Sequence, residues 1–178
     1  MDERWINEFW EKVERKLSVV APQVSTRFPY TTDENGKYVS LHNVEWWTNG
    51  FWAGIMWLAF LETKKEIYRE IAMASEEALD QAFLEFSELH HDVGFMWLPS
   101  AVAHYRIDGD ERAKTRGLHA ATLLAGRFNC EGGFIRAWNG ECTGWTIIDC
   151  MMNLPLLYWA SEVTKDPRFN MIAIRHAN

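Results

Sequence analysis

The sequence predicts an all-α fold, an array of helical hairpins, from three observations. The chain opens with an amphipathic helix, in which Trp5, Ile6, Phe9, Trp10, Val13 and Leu17 recur at helical spacing. Glu8, Glu11, Lys12, Arg15 and Lys16 occupy its other face. One unit then repeats three times: an aromatic-glycine turn, an apolar helix, a short polar turn and a more amphipathic helix. The spacing of these units is regular except for one insertion.

Between the first helix and the first repeat, residues 21–44 read as an irregular connector, because Pro22, Pro29 and the Asp33-Glu34-Asn35-Gly36 turn do not sustain a helix. The apolar helices are expected at 51–61, 96–106 and 146–163, opened by Trp46–Trp52, His91–Phe95 and Thr143–Trp145. Polar turns at Thr63–Glu66, Asp108–Glu111 and Thr164–Pro167 close them, and second helices follow at 67–89, 112–128 and 168–177. Thr63, Asp108 and Thr164 are 45 and 56 residues apart, and Trp46, Asp92 and Asp149 are 46 and 57 apart. Both series stretch by 11 residues at the same step, so one insertion explains both. It falls at Cys130–Gly140, which reads as a long loop or small hairpin.

If the hairpins pack side by side, every apolar helix begins at one rim. That rim carries Trp46, Trp47, Asn49, His90, His91, Asp92, Arg136, Trp138, Trp145 and Asp149. Helix N-termini converge there and favour negative charge. Hairpins closing in a ring would form a barrel of inner and outer helices; in a line they would form a solenoid.

Composition sets bounds on function. With 178 residues, 48% hydrophobic, the chain is long enough for one globular domain, expected to span 1–178. A net charge of −7 argues against a nucleic-acid partner, which needs a basic face. No apolar stretch of membrane-spanning length is free of charge, so no membrane partner is expected. Cys130, Cys142 and Cys150 lack zinc-like spacing and read as reduced thiols of a cytoplasmic protein; the charged start, Met1–Trp5, has no signal-peptide core. No phosphate loop, dinucleotide fingerprint, nucleophile elbow or zincin helix occurs.

Asp149 is the sharpest candidate. An Asp at a helix head is commonly an N-cap, yet Ile147, Ile148, Cys150, Met151 and Met152 surround this one. Burial among them would raise its pKa, which suits a carboxyl that holds and then donates a proton. Asp92 has the stronger capping alternative, since it stands in a turn just before a helix. His90 and His91 are adjacent and point apart, and no third ligand stands at zinc spacing, so no metal is expected. Trp46, Trp47, Trp52, Trp57 and Trp97 are mostly core by composition, with Trp46 or Trp47, beside a glycine turn, best placed to stack on a ring. Arg136 in the inserted loop reads as solvated, and Gly94, Gly132, Gly133 and Gly144 read as turn formers.

Four stretches together resemble the unsaturated glucuronyl hydrolases, glycoside hydrolase family 88: Asn49–Gly54, His90–Met96, Gly132–Trp138 and Ile147–Leu156. The resemblance implies an (α/α)6 barrel, and with it an enzyme that hydrates the C4=C5 double bond of a terminal unsaturated uronic acid left by a polysaccharide lyase. The hydrated product is a hemiketal that rearranges and releases the neighbouring sugar. By the same likeness Asp149 is the general acid and base, while Asp92 holds sugar hydroxyls and helps keep Asp149 protonated. Trp46 meets the unsaturated ring, with His91, Trp47, Arg136 and Trp138 as further substrate contacts. No cofactor is implied, and the partner is an unsaturated glycosaminoglycan or related disaccharide.

Six hairpins need on the order of 300 residues, so the leading helix and three hairpins make about half of the ring. The inner helices are then expected to meet another copy or a complementary half, and the chain alone to have negligible activity. Two competing readings remain: a helical-repeat binding module without chemistry, and an inverting glycosidase on the same barrel with Asp92 and Asp149 as separate acid and base.

Overall fold

The computed structural model describes residues 3–40, 43–85 and 87–178. Helix α1 (Glu3–Val24) leads into an antiparallel hairpin, β1 (Pro29–Thr32) and β2 (Tyr38–Ser40). The first repeat is α2 (Asn49–Thr63) and α3 (Glu66–Leu79), the latter continued by a 3₁₀ turn at Asp80–Leu84. The second is α4 (Val93–Trp97), a π turn at Leu98–Val102 and α5 (Ala103–Asp108), followed by α6 (Glu111–Gly126). A small hairpin, β3 (Phe128–Asn129) with β4 (Phe134–Ile135), occupies the insertion. A 3₁₀ turn at Ile148–Met152, α7 (Leu154–Thr164) and α8 (Pro167–Ala177) complete the third repeat. Helix α4 touches both α2 and α7, so the three inner helices stand side by side in chain order.

The repeat shows in its polar turns. Each inner helix ends on a left-handed residue: Lys64 (φ 59°), Gly109 (φ 72°) and Lys165 (φ 60°). In the first and third turns the hydroxyls of Thr63 and Thr164 donate to the carbonyls of Ala59 and Ala160 and accept from the amides of Lys65 and Asp166. Asp110 and Asp166 then cap α6 and α8, accepting from the amides of Ala113 (2.7 Å) and Arg168 (3.0 Å).

Three expectations need correction. Helix α1 runs through Pro22 to Val24, so the start of the supposed connector is helical and its middle is the β1–β2 hairpin. Pro22 stands inside the helix, which ends two residues after it. Helix α3 ends at Leu79 rather than 89. The third inner helix breaks at Asn153, where Pro155, fit for a first turn but not an interior, starts α7 afresh. Phe86 and His42 lie outside the described residues.

Pro99 would break an α-helix because it has no N–H to give and its ring meets the carbonyl four residues back. The π turn widens the helix around it, and the Ser100 hydroxyl donates to the Met96 carbonyl. Around this element lies the core, in which Met56, Trp57, Tyr68, Met96, Trp97, Leu124, Leu156 and Leu157 are fully buried. A charged network crosses it: buried Glu76 on α3 meets His104 Nδ1 on α5 (2.8 Å) and Arg116 on α6 (2.9 Å), and Arg116 also pairs with Asp80 (2.7 Å). Apolar residues remain exposed as well, along α2 at Phe51, Ile55, Leu58 and Leu61 and in the 3₁₀ turn at Ile148, Met151 and Met152. On α1, Trp5, Ile6 and Phe9 are exposed too, while the end of the helix packs through Ala21 and Val24. Among the described residues no helix is long and apolar enough to cross a membrane.

Glycines set the spacing of the inner helices where they begin. A Cβ on Gly50 would stand 2.2 Å from the Met96 carbonyl oxygen, and one on Gly94 would stand 2.5 Å from Asn153 Cα. Gly94 is therefore needed for close approach and not for a turn; of the four glycines expected as turn formers only Gly133 (φ 75°) has a positive φ. The Asn153 side chain completes this junction by accepting from the Phe95 amide at 2.9 Å. Gly94→Ala should cost about 2–3 kcal/mol, at the upper end of overpacking because backbone must move. Urea denaturation checks this, and a loss below about 0.5 kcal/mol would contradict the contact.

Candidate active site

The rim where the inner helices begin holds a cavity of about 440 Å³. Its walls include Trp46, Trp47, His91, Asp92, Trp138 and Asp149, with Asn43, Glu45, Glu88, His90 and Ile147 around them. Trp46 and Trp47 come from the turn before α2, His91 and Asp92 from the turn before α4, and Asp149 from the 3₁₀ turn before α7. Trp138 comes from the inserted segment. Six of the seven residues that the sequence points to therefore converge. Arg136 does not: its guanidinium donates to the Gly140 carbonyl, and the residue lines a neighbouring cavity of about 490 Å³ with Arg127, Phe128 and Asn139.

The aromatic wall is itself packed. Trp47 meets Phe95 at 5.4 Å and Phe51 at 5.9 Å between ring centroids, and Tyr30 stands edge-on to Trp46 at 6.0 Å. Across the cavity Trp138 stands 6.4 Å from the His91 ring and edge-on to Trp145. Rings held this way offer flat faces with little freedom left to lose on binding a sugar.

At the centre, His91 Nε2 lies 3.4 Å from Asp92 Oδ1 and 3.6 Å from Asp149 Oδ1. Both distances exceed a good N–H···O bond. Among the described residues neither His91 ring nitrogen nor Asp149 Oδ1 has a hydrogen-bond partner, although all three atoms are buried. Each such group costs about 1–3 kcal/mol. All three belong to residues that line the cavity. The capping reading of Asp92 fails, because Asp92 stands at the N-cap position of α4 without any side-chain bond to the helix.

Burial holds the His91 imidazole down to about 4, with the Arg127 charge adding to it, so His91 is neutral at pH 7. Burial pushes Asp92 up to about 6, and the neighbouring Asp149 charge raises it further. Asp149 is also raised by burial, but 42% of its side chain is exposed and Ile148 beside it is open. The apolar seclusion expected for Asp149 is thus partial here, and Asp92 is the deeper of the two acids. Cys150, buried behind them, has its thiol pushed up to about 12 and stays neutral.

One ligand atom each from His91, Asp92 and Asp149 lie within 4.8 Å of one another, close enough for a small cation to reach all three. The nearest carboxylate oxygens of Asp92 and Asp149 are thus closer than the about 6.5–9.5 Å between carboxyl groups that an inverting glycosidase uses to seat a water. The chemistry this arrangement supports is proton transfer by a close carboxyl pair beside a neutral imidazole.

Arg127 and Asn139 carry much of this geometry and no motif pointed to them, while Asn153 lies within the Ile147–Leu156 stretch but was given no role there. The available signal was a lone arginine closing the apolar end of α6, in Leu123-Leu124-Ala125-Gly126-Arg127.

Since Asp92 binds its proton more tightly folded than unfolded, folding is helped below about pH 4 and that help is lost as pH rises through about 6. Asp92→Asn should therefore leave stability near pH 4 unchanged and raise it at pH 8, on the order of 2 kcal/mol. Chemical denaturation at the two pH values tests this; a variant less stable than wild type at pH 8 would contradict it.

With the geometry in place, the likeness to known proteins is specific. Residues 20–178 match the family model described as Glycosyl Hydrolase Family 88. The chain is 42% identical over 156 residues to the unsaturated glucuronyl hydrolase of Bacillus sp. (strain GL1), covering 85% of this chain and 41% of the relative. It is 35% identical over 177 residues to the unsaturated chondroitin disaccharide hydrolase of Streptococcus agalactiae serotype III (strain NEM316), covering 96% of this chain and 44% of the relative. A crystal structure of the S. agalactiae unsaturated glucuronyl hydrolase superposes with a TM-score of 0.89 at 33% identity, covering 99% of this chain and 45% of that one. The chain thus spans less than half the length of the relatives it matches, and its hairpins are the corresponding part of their (α/α)6 barrel. By sequence and by structure, the chain belongs to glycosyl hydrolase family 88.

Proposed function

We propose that residues 1–178 form one unit carrying the acid–base half of an unsaturated glucuronyl hydrolase, which adds water across the C4=C5 bond of a terminal unsaturated uronic acid. The observation that carries this reading is the close, unsatisfied cluster of His91, Asp92 and Asp149 facing a tryptophan-walled cavity. The substrate class rests on the relatives, one of which was solved as a mutant S. agalactiae unsaturated glucuronyl hydrolase complexed with dGlcA-GalNAc6S at 30% identity and a TM-score of 0.79. Three free thiols support a cytoplasmic setting.

In this scheme Asp149 delivers its proton to C4, and the resulting cation at C5 is stabilised by the ring oxygen. Asp149, now ionised, takes a proton from the water that attacks C5. The net addition is H at C4 and OH at C5, and the hemiketal so formed opens and releases the neighbouring sugar. One carboxyl serves both steps because the proton given and the proton taken pass through the same group. Asp149 is the more accessible acid, as a group facing substrate should be. Asp92, deeper and 3.4 Å from His91 Nε2, holds sugar hydroxyls; above about pH 6, where it is ionised, its charge favours a protonated Asp149 once substrate covers the site. Trp46, Trp47 and Trp138, which all line the cavity, supply the aromatic surface for the unsaturated ring. The exposed stripes on α2 and at Ile148–Met152 are where the remaining inner helices would pack, and burying Ile148 would seclude Asp149 further.

The test follows the unsaturated uronide's ultraviolet absorbance on chondroitin disaccharides. The substrate is given to the chain alone and to the chain fused to the remaining part of the Bacillus relative, once circular dichroism shows the fusion folded. The fusion should consume the absorbance and the chain alone should not; a folded, inactive fusion would contradict the assignment. In the active fusion Asp149→Asn should lower kcat by about 10²–10⁴-fold with binding kept. Activity within threefold of wild type would remove Asp149 from its role. Asp92→Asn should lower kcat and raise KM together.

A further inference from the structure

The turn that carries His91 and Asp92 and the segment that carries Trp138 are far apart in sequence and meet without regular secondary structure between them. What joins them is one half-buried side chain. Arg127, at the end of α6, donates from Nε to the Arg136 carbonyl (2.9 Å), from Nη2 to the Ala137 carbonyl (2.9 Å), and from Nη1 to Asn139 Oδ1 (3.0 Å) and the Leu89 carbonyl (3.4 Å). Its own carbonyl accepts from the Arg136 amide at 3.0 Å. The Ala137 carbonyl also accepts from the His91 amide at 3.1 Å, so one oxygen is shared by the guanidinium and the catalytic turn. Asn139 reinforces the joint by donating to the Ser87 and Leu89 carbonyls.

All four acceptors of the guanidinium are neutral oxygens. Burial lowers Arg127 to about 10, so it remains charged at neutral pH, and Asp92 is among the groups that favour its charge. A half-buried cation held by carbonyls and a side-chain amide is costly to keep. Its planar fork reaches several acceptors at once, which a lysine cannot do.

Resting on the hydratase reading of the site, we propose that Arg127 is its positioning residue: it pins the Leu89–Asp92 turn to the Arg136–Asn139 segment, so that His91 and Asp92 face Trp138, and supplies the positive charge behind Asp92.

Two variants separate the fork from the charge, both made in the chain as it stands. The Asp92 carboxyl is titrated by carbon-13 NMR, and amide exchange is read at His91 and Arg136. The groups sharing Asp92's surroundings are Glu45, Glu88, His90, His91 and Asp149 on the cavity side and Arg127, Arg136 and Cys150 behind. Arg127→Met should move the Asp92 midpoint above its wild-type value near 6 and strip protection from both amides. Arg127→Lys should hold the midpoint while leaving the amides unprotected. A folded Arg127→Met with midpoint and amides unchanged, or a Lys variant indistinguishable from the Met variant, would overturn the assignment. If Arg127→Met does not fold, Asn139→Ala is read instead: loss of protection at His91 supports the clamp, and unchanged protection refutes it. None of these readings needs turnover, so they stand or fall apart from the hydration assay.

Discussion

The site depends on how closely two inner helices approach each other at the rim. Gly94 lies against the backbone of Asn153, and the Asn153 side chain accepts from the Phe95 amide. Asp92 is two residues before that contact and Asp149 four residues before it on the other strand of chain. A side chain at position 94 would drive the two helix heads apart and the carboxyls with them. The same device, Gly50 against Met96, sets the preceding pair and brings the Trp46–Trp47 turn to the cavity. Contact between backbones, not contact between acids, is what places the acids.

That placement works against stability. His91 is buried with both ring nitrogens unpartnered, Asp92 is held up to about 6 by burial and by Asp149, and Arg127 is a cation surrounded by neutral oxygens. Each would be avoided in a segment selected only to fold. At the opposite ends of the inner helices the fold handles charge differently. Glu76 is fully buried, yet His104 and Arg116 satisfy both of its oxygens. There Glu76, His104 and Arg116 pair with one another, whereas at the rim His91 and Asp149 keep buried polar atoms without a hydrogen-bond partner among the described residues.

Much of this was legible in the chain. The 46- and 57-residue spacing aligned Trp46, Asp92 and Asp149 on one rim, and the structure brings them into one cavity. Periodicity also located the polar turns, because Thr63 and Thr164 use the same hydroxyl bonds. Other features were hidden. Pro22 looked like a breaker at the head of a connector, yet the helix runs two residues past it. Gly94 looked like a turn former because sequence shows the absence of a side chain and not the backbone that fills its place. Arg127 had no motif, since its acceptors are loop oxygens without a pattern of their own: Leu89 lies 38 residues before it, and Arg136, Ala137 and Asn139 lie 9, 10 and 12 after it. Arg136 was drawn to the site by its place beside Trp138, yet it faces the other cavity.

The central claim is that this acid pair acts on a carbon–carbon double bond and not on the glycosidic linkage. The most direct measurement uses an unsaturated disaccharide analogue in which the glycosidic oxygen is replaced by CH2, given to the active fusion. Hydration predicts that the uronide absorbance is lost at a rate comparable to that of the natural substrate, with no sugar released. Absorbance that persists on the analogue, while the oxygen-linked substrate is consumed, would contradict the account.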